Sequence, residues 1–199
     1  ADDRILWRIA LHEAGHTVAG AALGLGEIES ITITNESGEV QRRKMPHESL
    51  LSDIEAEITY SLAGRAAEKL VLGEVSAGAG GQEASDLALA TRAAIHLETT
   101  LGLGHEGLVW HARPEAVHLQ TPAIRDRVRQ RLTRAEQRAG VLLAQHRDVL
   151  EALARDLVKR RSLRAGDIRH WLREITRTTT ATADRCASQG ACSESSNLE

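Results

Sequence analysis

The sequence predicts a mainly α-helical (α+β) domain, a bundle-like packing of helices with a small β-sheet beside the first helix. Three observations predict it. Aromatic residues are only 2% of the chain and Phe is absent, so the core must be built of Leu, Ile, Val and Ala, which favours closely packed helices over a sheet sandwich. Apolar residues recur at three- and four-residue steps through most of the chain. One stretch, Ile28 to Thr34, instead alternates apolar and polar residues like a half-buried strand.

The elements follow in order. Ile5, Ile9, His12, His16 and Ala19 form one stripe of an amphipathic first helix, which Gly24 and Gly26 end. After the strand carrying Ile28, Ile31 and Ile33, Asn35-Glu36-Ser37-Gly38 signals a turn and Glu39-Val40-Gln41 a returning strand. Ser52-Asp53-Ile54-Glu55 has the form of a capping box. It opens one helix through Ile54, Ile58, Leu62, Ala66 and Leu70, stopped by Gly73.

Ser76 to Gly81 is a Gly- and Ala-rich loop, and Asp86, Leu89, Ala93 and Leu97 share a face of the next helix. Leu108-Val109-Trp110 and Val117-His118-Leu119 suggest a small hairpin. Thr121-Pro122 places a cap before a proline, the start of a long helix through Ile124, Val128, Leu132, Ala139 and Leu143. Asp148 and Glu151 open a helix with Leu150, Leu153 and Leu157, and a last one holds Ile168, Trp171, Leu172 and Ile175. Residues 1–177 are thus expected to form one domain. Residues 178–199, rich in Thr, Ser and Ala without apolar periodicity, read as a disordered polar tail, with Leu198-Glu199 as a cloning remnant.

Composition narrows the function classes. With 42% hydrophobic and 27% charged residues, the chain is an ordinary globular protein. A net charge of −3 is too small to argue for nucleic acid or a membrane surface. The Arg-rich stretch from Arg125 to Arg177 reads as a solvated helix face, and no nucleic-acid recognition motif accompanies it. No apolar run approaches the roughly 18 residues of a membrane span, so direct membrane insertion is not expected. Cys186 and Cys192 lie in the tail and read neither as a bridge nor as metal ligands, which fits an intracellular, cytoplasmic setting.

His12-Glu13-Ala14-Gly15-His16 carries the chemistry. Residues four apart on a helix share a face, so His12 and His16 can reach one metal ion, while Glu13 at a neighbouring azimuth can hold a metal-bound water. Glu13 then acts as general base in metal-assisted peptide hydrolysis. The plainer alternative is a buried helix face with two satisfied histidines. Gly15 either admits another backbone or is simply a small packing residue. The Ile31–Thr34 strand is either an edge to which an extended substrate adds or an ordinary core strand. His105, His111 and His118 are weighed as a second metal group and set aside for want of ligand spacing.

The motif, with two later segments, resembles the membrane-anchored AAA-type zinc proteases of the FtsH class, peptidase family M41. Ala63-Gly64-Arg65-Ala66-Ala67-Glu68-Lys69-Leu70-Val71-Leu72-Gly73 is similar to the family's next signature. Ser85-Asp86-Leu87 with Ala90-Thr91 resembles the segment bearing its third zinc ligand. The likeness covers roughly residues 4 to 175. This chain has the extra residues Gly80, Gly81, Gln82 and Glu83 in the loop before Asp86, and Ser85 where the family has Asn. It also contains no G-x-x-x-x-G-K-[ST] phosphate loop, hence no ATPase of its own.

By its own surroundings Asp86 reads as a helix N-terminal carboxylate; the resemblance makes it the third ligand, with Glu83 as fallback and Glu68 orienting an imidazole. The resemblance implies a zinc-dependent endopeptidase domain with one Zn2+ per chain, acting on unfolded polypeptides. It also implies a hexameric ring and an AAA ATPase module in cis or in trans. If the full-length protein is anchored as in the family, it works at the cytoplasmic membrane face. The alternative is a non-catalytic assembly or adaptor domain that retains the fold and a structural metal.

Overall fold

The computed structural model describes residues 3–44, 46, 48–111, 115–173 and 175. The proposed tail lies outside the described residues, as do Cys186 and Cys192. The architecture is mainly helical with one small antiparallel sheet, as composition and periodicity predict. Among the described residues no helix is long and apolar enough to cross a membrane.

Helix α1 (Asp3–Ala22) runs through the centre. It packs against α3 (Ala63–Leu72), α7 (Arg147–Arg160) and the sheet. Its sequence pattern is simpler than its environment. Leu6, Ala10, Leu11, Ala14 and Val18 point into the main core, whereas Ile5 and Ile9 line an open cleft together with His12 and His16. The predicted stripe thus divides: Ile5, Ile9, His12 and His16 border the cleft, with Ile9 also packed against the core, and Ala19 is fully buried within that core. From Glu13 to Gly20 the helix is buried all round. Gly24 and Gly26, at φ 67° and 112°, take the chain out of the helix as expected.

Strand β1 (Glu27–Ile33) pairs antiparallel with β2 (Gly38–Arg43), and on its other side with β3 (Ser162–Arg164). The sheet order is β2-β1-β3. Of the two readings of the Ile31–Thr34 strand, the core strand holds: β1 is central and offers no free edge, and β2 borders the cleft instead. Ile28 and Ile31 are three apart yet both fully buried. The register shift between Ile28 and Ser30 absorbs the extra residue and keeps both on the core face.

The helix expected from Ile54 to Leu70 is two helices. α2 (Leu51–Ser61) ends at Leu62 (φ −95°, ψ 0°), and α3 begins at Ala63. The capping box is also shifted: Leu50 is the N-cap, and its N–H donates to the Asp53 carboxylate at 3.0 Å. Gly73 closes α3 in the left-handed conformation (φ 77°).

The Ser76–Gly81 loop contains a single 3-10 turn, Ala77–Ala79. Helix α4 (Asp86–Thr99) is capped by Ser85, whose hydroxyl accepts the Ala88 N–H. Its buried face is Ala90, Ala94 and Leu97, while Leu89 is turned to the cleft. Among the described residues between 108 and 119 no hairpin forms: residues 108–111 are irregular, and α5 (Glu115–His118) is one helical turn. α6 (Pro122–Gln145) starts with proline after Thr121 as expected. It packs on α2, α3 and α4 through a second apolar cluster that includes Ile58, Leu62, Ala94 and Val128. Residues 165–173 form the last helix.

Candidate metal centre

Three elements bring the centre together: α1 supplies His12, Glu13 and His16, α3 supplies Glu68, and the first turn of α4 supplies Asp86. His12 Nε2 lies 3.0 Å and His16 Nε2 3.2 Å from the same oxygen, Asp86 Oδ2. Among the described residues these three side chains are the one group of His, Cys, Asp and Glu placed to hold a metal, with ligand atoms within 4.8 Å of one another. Glu83 is exposed and outside that group. The His111 and His118 rings meet edge-to-face at 5.9 Å but join no metal-holding group among the described residues, so the idea of a second centre is set aside.

The outward ring nitrogens are also fixed. His12 Nδ1 meets Glu68 Oε1 at 2.9 Å, and His16 Nδ1 donates to the backbone carbonyl of Tyr60 at 2.9 Å. Each contact leaves Nε2 directed at Asp86, the tautomer a metal needs. Glu68, 2% exposed, is itself held by Arg8 Nη1 at 2.9 Å and by the N–H and hydroxyl of Ser76. Tyr60 is pinned by Arg42, which stacks over its ring at 4.4 Å while pairing with Glu57 at 2.7 Å.

Electrostatics follow from this packing. Burial opposes ionisation of Asp86, yet hydrogen bonds from His12 and His16 outweigh it and hold the carboxyl well below its usual range. Burial also disfavours the charged form of Glu68, but His12, Arg8 and Ser76 bring it down to about 2. For His12 burial disfavours the proton, and the Asp86 and Glu68 carboxylates more than reverse that, raising it to about 9. Glu13 is different. Burial raises its carboxyl, only partly offset by His16 and His12, so it is a stronger base than a surface glutamate.

Two glycines clear the space. A Cβ on Gly64 would stand 2.4 Å from His12 Nε2, and one on Gly38 would stand 2.4 Å from Glu13 Cγ. A Cβ on Gly15 would meet the Ala63 carbonyl and the Ala67 methyl at 2.7 Å, so Gly15 admits the backbone of α3. Glycine inside a helix costs about 1 kcal/mol relative to alanine, so the position of Gly64 in α3 was a sequence signal for such an approach. No sequence signal marks the Tyr60 carbonyl, since every residue has one. The whole arrangement opens into a cleft of about 810 Å³ bordered by Glu13 and by Gly38 to Val40 of β2.

Over residues 3–171 the sequence matches peptidase family M41. The chain belongs to that family. Among M41 relatives, it is 30% identical over 190 residues to the ATP-dependent zinc metalloprotease FtsH of Rubrobacter xylanophilus, covering 83% of this chain and 28% of the relative. It is 36% identical over 178 residues to the ATP-dependent zinc metalloprotease FtsH 1 of Symbiobacterium thermophilum, covering 84% and 29%. To the FtsH 1 of Sorangium cellulosum it is 32% identical over 182 residues, covering 81% and 29%. The M41 chain therefore spans less than a third of the length of these relatives. The donor set suits zinc: two imidazole nitrogens, which ligate in the deprotonated form, and one carboxylate oxygen, each ring braced from behind.

Proposed function

We propose that this M41 domain is a zinc-dependent endopeptidase that hydrolyses peptide bonds of unfolded polypeptides. His12, His16 and Asp86 hold one Zn2+ per chain, and Glu13 is the general base. The observation that carries this reading is the convergence of two imidazole Nε2 atoms on one carboxylate, inside a cleft that Glu13 also lines. When bound, zinc supplies Lewis acidity, which lowers the pKa of a bound water from 15.7 to about 7 and polarises the scissile carbonyl.

The chain's own residues do the rest. Glu13, made more basic by burial, accepts a proton from the attacking water and returns it to the leaving amine. Asp86, kept ionised, balances the positive charge that two neutral imidazoles cannot. Glu68 and the Tyr60 carbonyl keep both rings in the ligating tautomer. β2 is an edge strand beside the cleft, and an extended substrate adds to it through main-chain hydrogen bonds, which demand little sequence. That width of cleft, with three protein donors and an open approach, argues against a closed structural metal site in a non-catalytic adaptor.

By likeness to its relatives, the working form is an intracellular hexameric ring fed with unfolded chains by an AAA ATPase, fused or separate. Alone, the domain cuts only peptides and already unfolded proteins. The test is cleavage of unfolded casein by the zinc-loaded protein. Glu13→Gln abolishes cleavage and retains zinc; unchanged cleavage in that variant refutes the mechanism.

A further inference from the structure

The arginine-rich face of α6 is more than a solvated surface. Arg127, Arg131, Arg134 and Arg138 follow at steps of four, three and four residues, so they share one side of the helix. Opposite them stand Glu55 and Thr59 of α2 and Glu98 of α4, enclosing a cleft of about 400 Å³. It shares no lining residue with the metal cleft.

Two of the four arginines are committed. The Glu98 side chain is 2% exposed and sits in the last turn of α4, where the helix dipole is unfavourable to a carboxylate. It is held there by Arg127 Nε at 3.2 Å, Arg131 Nη2 at 2.8 Å and the His105 N–H at 3.2 Å. Arg131 also reaches Glu55 at 2.5 Å. Glu98 is therefore a buried platform that fixes two guanidiniums in place.

The remaining donors meet no protein acceptor among the described residues, with Arg131 Nε buried and Arg134 and Arg138 exposed. Among the described residues Arg131 Nε is buried without a hydrogen-bond partner, and Arg134 and Arg138 pair with no carboxylate. The cleft is lined by four guanidiniums against two carboxylates, Glu55 and Glu98. With Glu106 pairing with Arg127 at 2.8 Å from outside the lining, an excess of one positive charge is left, on the side of Arg134 and Arg138. Guanidinium forks match phosphate oxygens in pairs, and the volume suits a small molecule rather than a helix.

We propose that this cleft is a second ligand site, which binds a small phosphate-bearing compound through Arg134 and Arg138 over the Glu98-anchored Arg127 and Arg131. A merely solvated face requires neither a buried acid beneath it nor a concave wall opposite. Phosphate oxygens supply the acceptor that the buried Arg131 Nε lacks and replace water on the exposed Arg134 and Arg138.

The test is calorimetric titration of the zinc-loaded protein with inorganic pyrophosphate at about 150 mM salt, where diffuse surface attraction is screened. The expected result is one saturable site per chain. Its affinity falls about tenfold or more in the Arg134→Gln/Arg138→Gln double variant, with zinc content, melting temperature and casein cleavage unchanged. No saturation into the millimolar range overturns the proposal. So does equal affinity in the double variant, which shows that Arg134 and Arg138 do not hold the anion.

Discussion

Glu68 Oε1 lies 2.9 Å from His12 Nδ1, on the ring nitrogen opposite the one that meets Asp86. One buried carboxylate thus sets the tautomer and the aim of an imidazole whose other end faces the cleft. Glu68→Ala removes that brace, takes the acceptor from the Ser76 N–H and leaves Arg8 only its exposed pairing with Glu74. Zinc affinity is expected to fall about 10–100-fold, measured by competition with a chelator. Glu68→Gln still accepts a hydrogen bond and loses less. Equal affinity in all three proteins contradicts the bracing role.

Gly64 and Gly38 give a paired prediction. Gly64→Ala in the first turn of α3 costs no helix propensity, but its methyl overlaps His12 Nε2. The variant is expected to fold and to lose zinc, read from metal content beside a thermal melt. Gly38→Ala displaces Glu13 and spares the histidines, so it retains zinc and loses casein cleavage. The two variants behaving alike contradicts the assignment of separate roles to His12 and Glu13.

Acid stability reports on the α4–α6 contact. Burial disfavours the Glu98 charge, yet Arg131, the His105 N–H and Arg127 lower its carboxyl below the usual range. A carboxyl depressed in the folded state contributes stability above its unfolded value of about 4.3, and that contribution disappears as pH falls through the folded value. Glu98→Gln is expected to cost about 2–3 kcal/mol at pH 7, less than a fully buried pair because the guanidiniums remain about one-fifth exposed. Its stability should then fall less between pH 5 and 3 than the parent's. Urea unfolding over that range checks both; parallel curves of equal height contradict the coupling.

Much of the fold was legible because its signals are local. The stop at Gly73, the exit at Gly24 and the proline start of α6 each follow from backbone chemistry at one position. The two histidines were legible because a four-residue step fixes their common face whatever surrounds them. What was not legible is tertiary. Leu62 fits the apolar stripe of one long helix, and only the separate docking of α2 and α3 breaks it there. β3 has three residues, too few for an alternation, and exists because β1 needs a second partner. The hairpin suggested near Trp110 failed because Leu108 and Trp110 find no sheet to cover them and stay exposed. Asp86 required the resemblance, since nothing near it in sequence says that it meets an imidazole 74 residues away.

The most direct measurement is anomalous scattering at the zinc absorption edge from crystals of the metal-loaded protein. The account predicts one peak per chain, about 2.0–2.2 Å from His12 Nε2, His16 Nε2 and an Asp86 oxygen, with Glu13 beside it but not bound. A peak held by Glu68 or Glu83 in place of Asp86, or no peak between the two histidines, contradicts it.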